Sequence, residues 1–176
     1  IAINPTQPNQ VFISAFHDGI LEMRNNLPEN RFDQTNSPLE RANYINLPNY
    51  NTIRTSGLEF DSNGVLWSIT SLIERPLISY NTGSNQWNSY DFSALIPDPI
   101  ADNLGFEEVT VATNGIIYIA SFSHGVIGYD PERSLIKSLS TDNGLPDKVT
   151  RAVALDSRNQ LWIGTDKGLR VLFGKF

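Results

Sequence analysis

The chain has no cysteine, one methionine and two histidines in 176 residues. Without a thiol there is no disulfide, no thiolate nucleophile and no zinc–thiolate site. No run of about 18 apolar residues occurs, so no segment reads as a membrane-spanning helix. Basic residues are the minority sign, 13 against 19 acidic, for a net charge of −6. That balance repels nucleic-acid phosphate and leaves no basic stripe to bind it. No stretch shows the 3.6-residue apolar period of a substantial helix. There is no initiator methionine and no signal-peptide pattern. The chain opens on a strand-like Ile1-Ala2-Ile3 and stops soon after another strand, which reads as a piece of a longer protein.

What is present is one short design, repeated. Leu161-Trp162-Ile163-Gly164-Thr165 is an apolar strand, Asp166-Lys167-Gly168 a polar turn, and Leu169-Arg170-Val171-Leu172 a second strand. Looser versions occur at Val11–Leu21, Leu66–Tyr80 and Ile117–Tyr129. Phe12, Trp67, Tyr118 and Trp162 mark the register, 55, 51 and 44 residues apart. An aromatic mark recurring at roughly 40–50 residues is the signature of propeller blades. The pattern therefore predicts an all-β chain, a partial β-propeller of about four blades of four-stranded antiparallel sheets. The blades fall at about 1–50, 51–92, 103–140 and 147–176, the last without its outer strand. The competing reading is a β-sandwich whose hairpins look alike by coincidence. A sandwich does not require turn, aromatic and glycine in the same order four times.

The local chemistry suits this design. Asn63-Gly64 and Asn114-Gly115 sit between apolar strands as hairpin turns. Leu161-Trp162-Ile163 and Ile116–Ile119 are near-continuous apolar runs, as strands covered on both faces should be. Neighbouring side chains alternate, so Trp162 and Ile163 face opposite blades. Trp162 is expected to be buried between blades. If the four blades form an open arc, Phe12, Ile20, Trp162 and Leu169 are candidates for exposure on its flanks. Asn46-Leu47-Pro48-Asn49 and Gly144-Leu145-Pro146-Asp147 rhyme as connections into the next blade, with Ile96-Pro97-Asp98 a weaker copy.

Thr141-Asp142-Asn143-Gly144-Leu145-Pro146, followed by Val153-Ala154-Leu155-Asp156 and the Leu161–Leu172 motif, resembles the two-component regulator propeller repeat. Among proteins with such repeats, Ile96-Pro97-Asp98-Pro99 and Arg158–Thr165 are most similar to the PorZ-like components of the type IX secretion system of Bacteroidota. The resemblance implies a non-catalytic propeller in an extracytoplasmic place, the periplasm or the outer-membrane surface. It implies other secretion-system proteins, lipopolysaccharide or oligosaccharide as partners, and no cofactor. The second group with such repeats implies the periplasmic oligosaccharide-sensing domain of a hybrid two-component regulator. Exposed flanks add a further expectation, association between copies of the chain or with the absent remainder of its parent.

In a propeller, the turn between the second and third strands shares a face with the connection entering each blade. That face would carry Phe16, His17, Asp18, Glu74, Arg75, Phe122, His124, Asp166 and Lys167, with Tyr50, Glu107, Asp147 and Arg151 joining from the connections. Phe16, His17, Arg75, Phe122 and His124 are the candidate ligand-binding residues, because exposed rings beside polar groups can stack on sugars. The alternative is that both phenylalanines cap blade boundaries. A metal shared by His17 and His124 is disfavoured by their separation in the repeat. No Gly-x-Ser-x-Gly elbow supports a serine nucleophile. Asp61-Ser62-Asn63-Gly64 resembles the opening of a calcium loop but lacks its closing Glu, and reads as a hairpin turn. Glu107 and Glu108 alternate faces and cannot act together as acid and base. An enzyme such as a propeller lyase is the third and weakest class.

Overall fold

The computed structural model describes residues 1–42, 51–98, 100, 102 and 105–174. Four antiparallel sheets follow one another along the chain, each with its strands in sequence order. The first holds β1 (Ala2–Ile3), β2 (Gln10–Ala15), β3 (Gly19–Arg24) and β4 (Leu27–Phe32). The second holds β5 (Thr55–Phe60), β6 (Val65–Thr70), β7 (Leu77–Asn81) and β8 (Gln86–Tyr90). The third holds β9 (Phe106–Val111), β10 (Ile117–Ser121), β11 (Val126–Asp130) and β12 (Leu135–Leu139). The fourth has three strands, β13 (Thr150–Leu155), β14 (Leu161–Thr165) and β15 (Gly168–Leu172). Among the described residues the only helical turn is a 3-10 segment, Thr141–Asn143. These are consecutive blades of a partial β-propeller.

Each blade packs on the next through a separate apolar layer. Phe12, Ile20 and Phe32 of blade 1 meet Leu66, Ile78 and Tyr80 of blade 2. Trp67, Ile69 and Leu77 of blade 2 meet Val109, Ile117, Ile119 and Ile127 of blade 3. Tyr118, Ala120 and Val126 of blade 3 meet Val153, Leu161 and Ile163 of blade 4. The alternation of the strand explains the sorting: each register aromatic points forward, and its neighbours point back. Phe12 and Ile20, expected on an open flank, are therefore fully buried, because they face blade 2.

Trp162 and Leu169 are exposed, as expected for the flank of an open arc, and the expectation that Trp162 is buried between blades does not hold. Trp162 is 39 % exposed. Among the described residues no blade covers its forward face, whereas Trp67 in the same position is covered by blade 3.

The hairpins show why each repeat begins with a small polar turn. Asp61 Oδ1 accepts the amides of Asn63 and Val65, and its Oδ2 accepts the Trp67 indole N–H at 3.2 Å. Asp156 does the same with Arg158, Gln160 and Trp162. The Asp61 loop is thus a satisfied hairpin turn whose carboxylate is already engaged. Only the glycine of Asn63-Gly64 and of Asn114-Gly115 has positive φ, 77° and 83°, and Asn159 at 59° fills that place in blade 4. Each of these hairpins thus needs a single left-handed residue, and in blade 3, where Ala112 replaces the aspartate, Asn114 Oδ1 accepts the Ile116 amide instead.

Gly19 and Gly125 close the opposite turns. A Cβ on Gly125 would lie 2.1 Å from the Leu139 carbonyl oxygen, and one on Gly19 lies 2.2 Å from that of Phe32. Leu145 packs over Gly125, and Leu39 over Gly19. The leucine of the connecting segment therefore seals the turn at both boundaries. The connection expected at Asn46–Asn49 and the candidate Tyr50 lie outside the described residues, as does Pro99.

Candidate functional site

The turn between the second and third strands of each blade is tied to the entering segments by backbone bonds. Ile53 N donates to His17 O, Ser71 N to Arg54 O, Phe122 N to Gly105 O, Gly125 N to Lys148 O, and Asp166 N to Val149 O. Turns and connections thus form one face, as the repeat pattern predicts.

Three groups of candidate residues occupy that face, each at its own blade or boundary. At the first boundary, Phe16 is 48 % exposed, and the Arg54 guanidinium carbon lies 4.7 Å from its ring centroid. His17 meets the Phe16 ring edge-on at 5.2 Å, and its Nδ1 is hydrogen-bonded to Thr52 Oγ1 at 2.8 Å. At the second blade, Arg75 is exposed, and its charge lowers the proton affinity of both Glu40 and Asp91. Burial is the larger effect on Glu40 and holds its carboxyl above the usual range, helped by the Glu74 charge. Asp91 is lowered chiefly by the Ser93 amide.

The third group is the most connected. Arg151 Nε and Nη2 hold the two oxygens of Asp166 at 2.7 and 3.1 Å, and Nη1 reaches Glu107 at 3.4 Å. The same guanidinium lies 4.8 Å from the centroid of the Phe122 ring. Asp166 is held below the ordinary carboxylate range, first by its hydrogen bond to Arg151 and then by that residue's charge. Lys167 and Asp147 pair at 3.1 Å beside it, and Asp147 is lowered in turn, chiefly by that bond. His124 Nδ1 is hydrogen-bonded to Ser123 Oγ, and its amide to Ser121 Oγ, which anchors the turn. Gly105 leaves room for the Phe122 ring: a Cβ there would lie 2.4 Å from Cδ2.

Both phenylalanines therefore stand at a blade boundary. An arginine from the following blade's entry covers one side of each ring, and the ring stays substantially exposed. Arg54 was not singled out by the sequence pattern, because it precedes its strand while Arg151 lies inside one.

A cleft of ≈ 670 Å³ runs along the inner strands. Ile3, Leu58, Phe60 and Val109 supply apolar walls, and Glu59, Glu107, Glu108 and Arg151 the charges. Arg151 belongs both to this cleft and to the turn face, so the two meet at the boundary of blades 3 and 4. Each inner strand of blades 2, 3 and 4 carries a register shift near this end, at Thr55/Leu58, opposite Ile119/Ser121 and at Thr150/Ala152. Such bulges break strict alternation, which is why Glu107 and Glu108 both line the cleft. Their carboxylates nevertheless have separate partners: Glu107 takes Arg151, and Glu108 accepts the Val153 amide at 3.1 Å. Glu59 likewise accepts the Val111 amide, and burial holds its pKa above the normal range.

Among the described residues no group of three or more His, Asp or Glu side chains is placed to hold a metal ion. No helix among them is long and apolar enough to cross a membrane.

Residues 144–167 match the family model described as two component regulator propeller. That segment is similar to one repeat of that family. Among curated proteins no relative matches. Among solved structures, PorZ, an essential bacterial surface component of the type IX secretion system of Porphyromonas gingivalis, is similar at TM-score 0.77 and 18% identity. The match covers 97% of this chain and 24% of PorZ. The extracellular domain of the hybrid two-component system BT4673 of B. thetaiotaomicron is similar at TM-score 0.65 and 16% identity, over 94% of this chain and 21% of that one. A virginiamycin B lyase of Staphylococcus aureus is similar at TM-score 0.50 and 12% identity, over 66% of this chain and 40% of the lyase. The chain spans about a quarter or less of the length of the first two. At these identities the likeness shows the fold.

Proposed function

We propose that this chain is part of an extracytoplasmic β-propeller that binds a partner on its turn face and does no chemistry, as a component of a type IX secretion assembly. One observation carries the reading: two exposed phenylalanines, Phe16 and Phe122, each stand on that face with an arginine from the next blade against the ring. A ring held this way costs little further ordering when it stacks on a flat partner, and the arginine covers one side while the ring stays substantially exposed. His17, Arg75 and His124 supply polar contacts nearby. The carboxylates that could serve an enzyme are engaged in structure, Glu107 by Arg151 and Glu108 and Glu59 by backbone amides. The likeness to PorZ over nearly the whole chain supports the secretion reading, with lipopolysaccharide or other secretion components as partners.

The second reading is an oligosaccharide-sensing domain. The family description of residues 144–167 and the BT4673 fold favour it.

The test is a binding screen of the purified chain against lipopolysaccharide and a panel of oligosaccharides, repeated with Phe122→Ala and Arg75→Ala. Binding to lipopolysaccharide weakened at least tenfold by either substitution supports the secretion reading. Binding confined to free oligosaccharides supports sensing. Affinity unchanged by both substitutions contradicts the turn face as the site.

A further inference from the structure

The connection that leaves blade 1 folds back beside that blade's own turn, and a polar pocket of ≈ 130 Å³ lies between them. Thr52 O accepts the Ala42 amide at 2.7 Å, and His17 O accepts the Ile53 amide at 3.1 Å, so the connection is pinned on both sides. His17, Asp18, Arg31, Asp33, Arg41 and Thr52 supply the polar groups of the pocket. Its floor residue Ile53 belongs to the apolar layer between blades 1 and 2, so the pocket sits over an internal boundary.

Several of these groups are fixed in advance. Asp33 is 9 % exposed. Its Oδ1 accepts the hydroxyl and amide of Thr35 at 2.6 and 2.8 Å, and its Oδ2 accepts the Arg31 guanidinium at 3.0 Å. The Thr35 hydroxyl chiefly holds this carboxyl below the ordinary range, so it is an acceptor at neutral pH. A carboxylate offers about four acceptor positions, so one remains for a ligand. Thr52 is 3 % exposed and bonds His17 Nδ1 at 2.8 Å, which orients the ring and leaves its Nε2 to the pocket. Asp18 and Arg41 are exposed, and among the described residues neither is in an ion pair.

Charge and volume decide what fits. Two arginines stand against two aspartates, so the pocket has no net charge when His17 is neutral, and an anion would meet carboxylates on the same walls. A neutral ring rich in hydroxyls is matched instead, because carboxylates accept from it and guanidinium groups donate to it. Phe16, 48 % exposed and in edge contact with His17, adds an apolar ring beside the polar groups. Pockets that enclose a drug-sized ligand run to about 300–1,000 Å³. This one has room for a single sugar ring and not for a length of chain. We propose that it holds the terminal sugar residue of a glycan, with Asp18, Asp33 and Arg41 on the hydroxyls and Phe16 as the stacking ring beside it. The inference rests on the reading of the turn face as the partner-binding surface, and adds that the glycan is held by its end.

The test uses the purified chain, with lipopolysaccharide and a panel of oligosaccharides as probes. Arg41→Ala and Asp18→Asn are the variants, because neither side chain is in an ion pair that holds the fold, and far-UV circular dichroism checks that each is folded. Each should weaken glycan binding about tenfold or more, the usual loss of a hydrogen bond to a charged group. Trimming the non-reducing end with an exoglycosidase, or opening the reducing end with borohydride, should abolish binding in one case and spare it in the other. That end dependence supports the proposal whether the glycan is free or carried on lipopolysaccharide. Binding that survives both treatments overturns it. So does displacement by glycine or inorganic phosphate but not by sugars, which indicates an ionic pocket. Binding weakened by Phe122→Ala but unchanged in Arg41→Ala and Asp18→Asn overturns the pocket and leaves the turn face standing. No binding of any probe overturns both.

Discussion

Trp67 and Trp162 each donate the indole N–H to the aspartate six residues upstream, at 3.2 Å to Asp61 and 3.3 Å to Asp156. Their local structure is the same, yet Trp67 is 5 % exposed and Trp162 39 %. The difference lies in the neighbour: blade 3 covers Trp67, and Trp162 faces outward.

That contrast sets the first prediction. Trp67→Ala should destabilise the chain by about 3–5 kcal/mol, the usual cost of emptying a large buried aromatic site. Trp162→Ala should cost less than half as much. Urea unfolding of both variants gives the comparison. Equal losses would show that the blade boundaries do not set the stability of these aromatics.

Gly125 and Gly115 offer a second pair. Both have positive φ, 70° and 83°, but a Cβ at Gly125 meets the Leu139 carbonyl at 2.1 Å and one at Gly115 meets nothing within 4 Å. Gly115→Ala should cost about 1 kcal/mol, the left-handed penalty alone. Gly125→Ala must also displace β12 from β11, and should cost roughly 3 kcal/mol or more. Thermal unfolding ranks the two, and the reverse order contradicts the turn geometry.

These elements also show what the sequence makes legible. The strands, their alternation and the turn glycines follow from local rules, so the four repeats and the direction of Trp162 and Ile163 are readable from residue types. Which face gains cover depends on the next blade, and no residue near Trp162 encodes that. The site divides in the same way. Phe16 and Phe122 are visible as aromatics at a fixed distance from the register mark. Arg54 over the first ring is a contact between blades, and it comes from a different register than Arg151 does. The bulges that bring Glu107 and Glu108 to one cleft are invisible to simple alternation for the same reason.

Glu59 carries a pH prediction. Burial raises its folded pKa above the unfolded value, so the folded state binds its proton more tightly. This group therefore favours folding below the unfolded pKa, and its contribution falls as pH rises through the folded one. Asp147, Asp156 and Asp166 are lowered and act in the opposite sense, losing their contribution as pH falls. Glu59→Gln keeps an acceptor for the Val111 amide and removes the titration. Its melting temperature should exceed that of the native chain at neutral pH, with the gap closing toward acid. A gap that widens toward acid would contradict the assignment.

The Arg151 cluster is exposed, so its stability contribution should be small while its effect on shape is not. Arg151→Lys removes the two-pronged contact with Asp166 and the flat cation over Phe122. Stability should hardly change, as for other solvent-exposed ion pairs. A fluorine label on the Phe122 ring should nevertheless shift and broaden in the Lys variant. An unchanged label resonance would mean that Arg151 does not hold the ring.

The central claim is that the turn face, not the hairpin face on the opposite side, is where this propeller meets its partner. Hydrogen exchange of the chain with and without lipopolysaccharide, or with whichever oligosaccharide binds, tests it most directly. Protection is predicted at the turns around Phe16–Gly19, Ser71–Pro76, Ser121–Gly125 and Thr165–Gly168. Protection confined to the hairpins at Asp61–Gly64, Ala112–Gly115 and Asp156–Gln160 would contradict it.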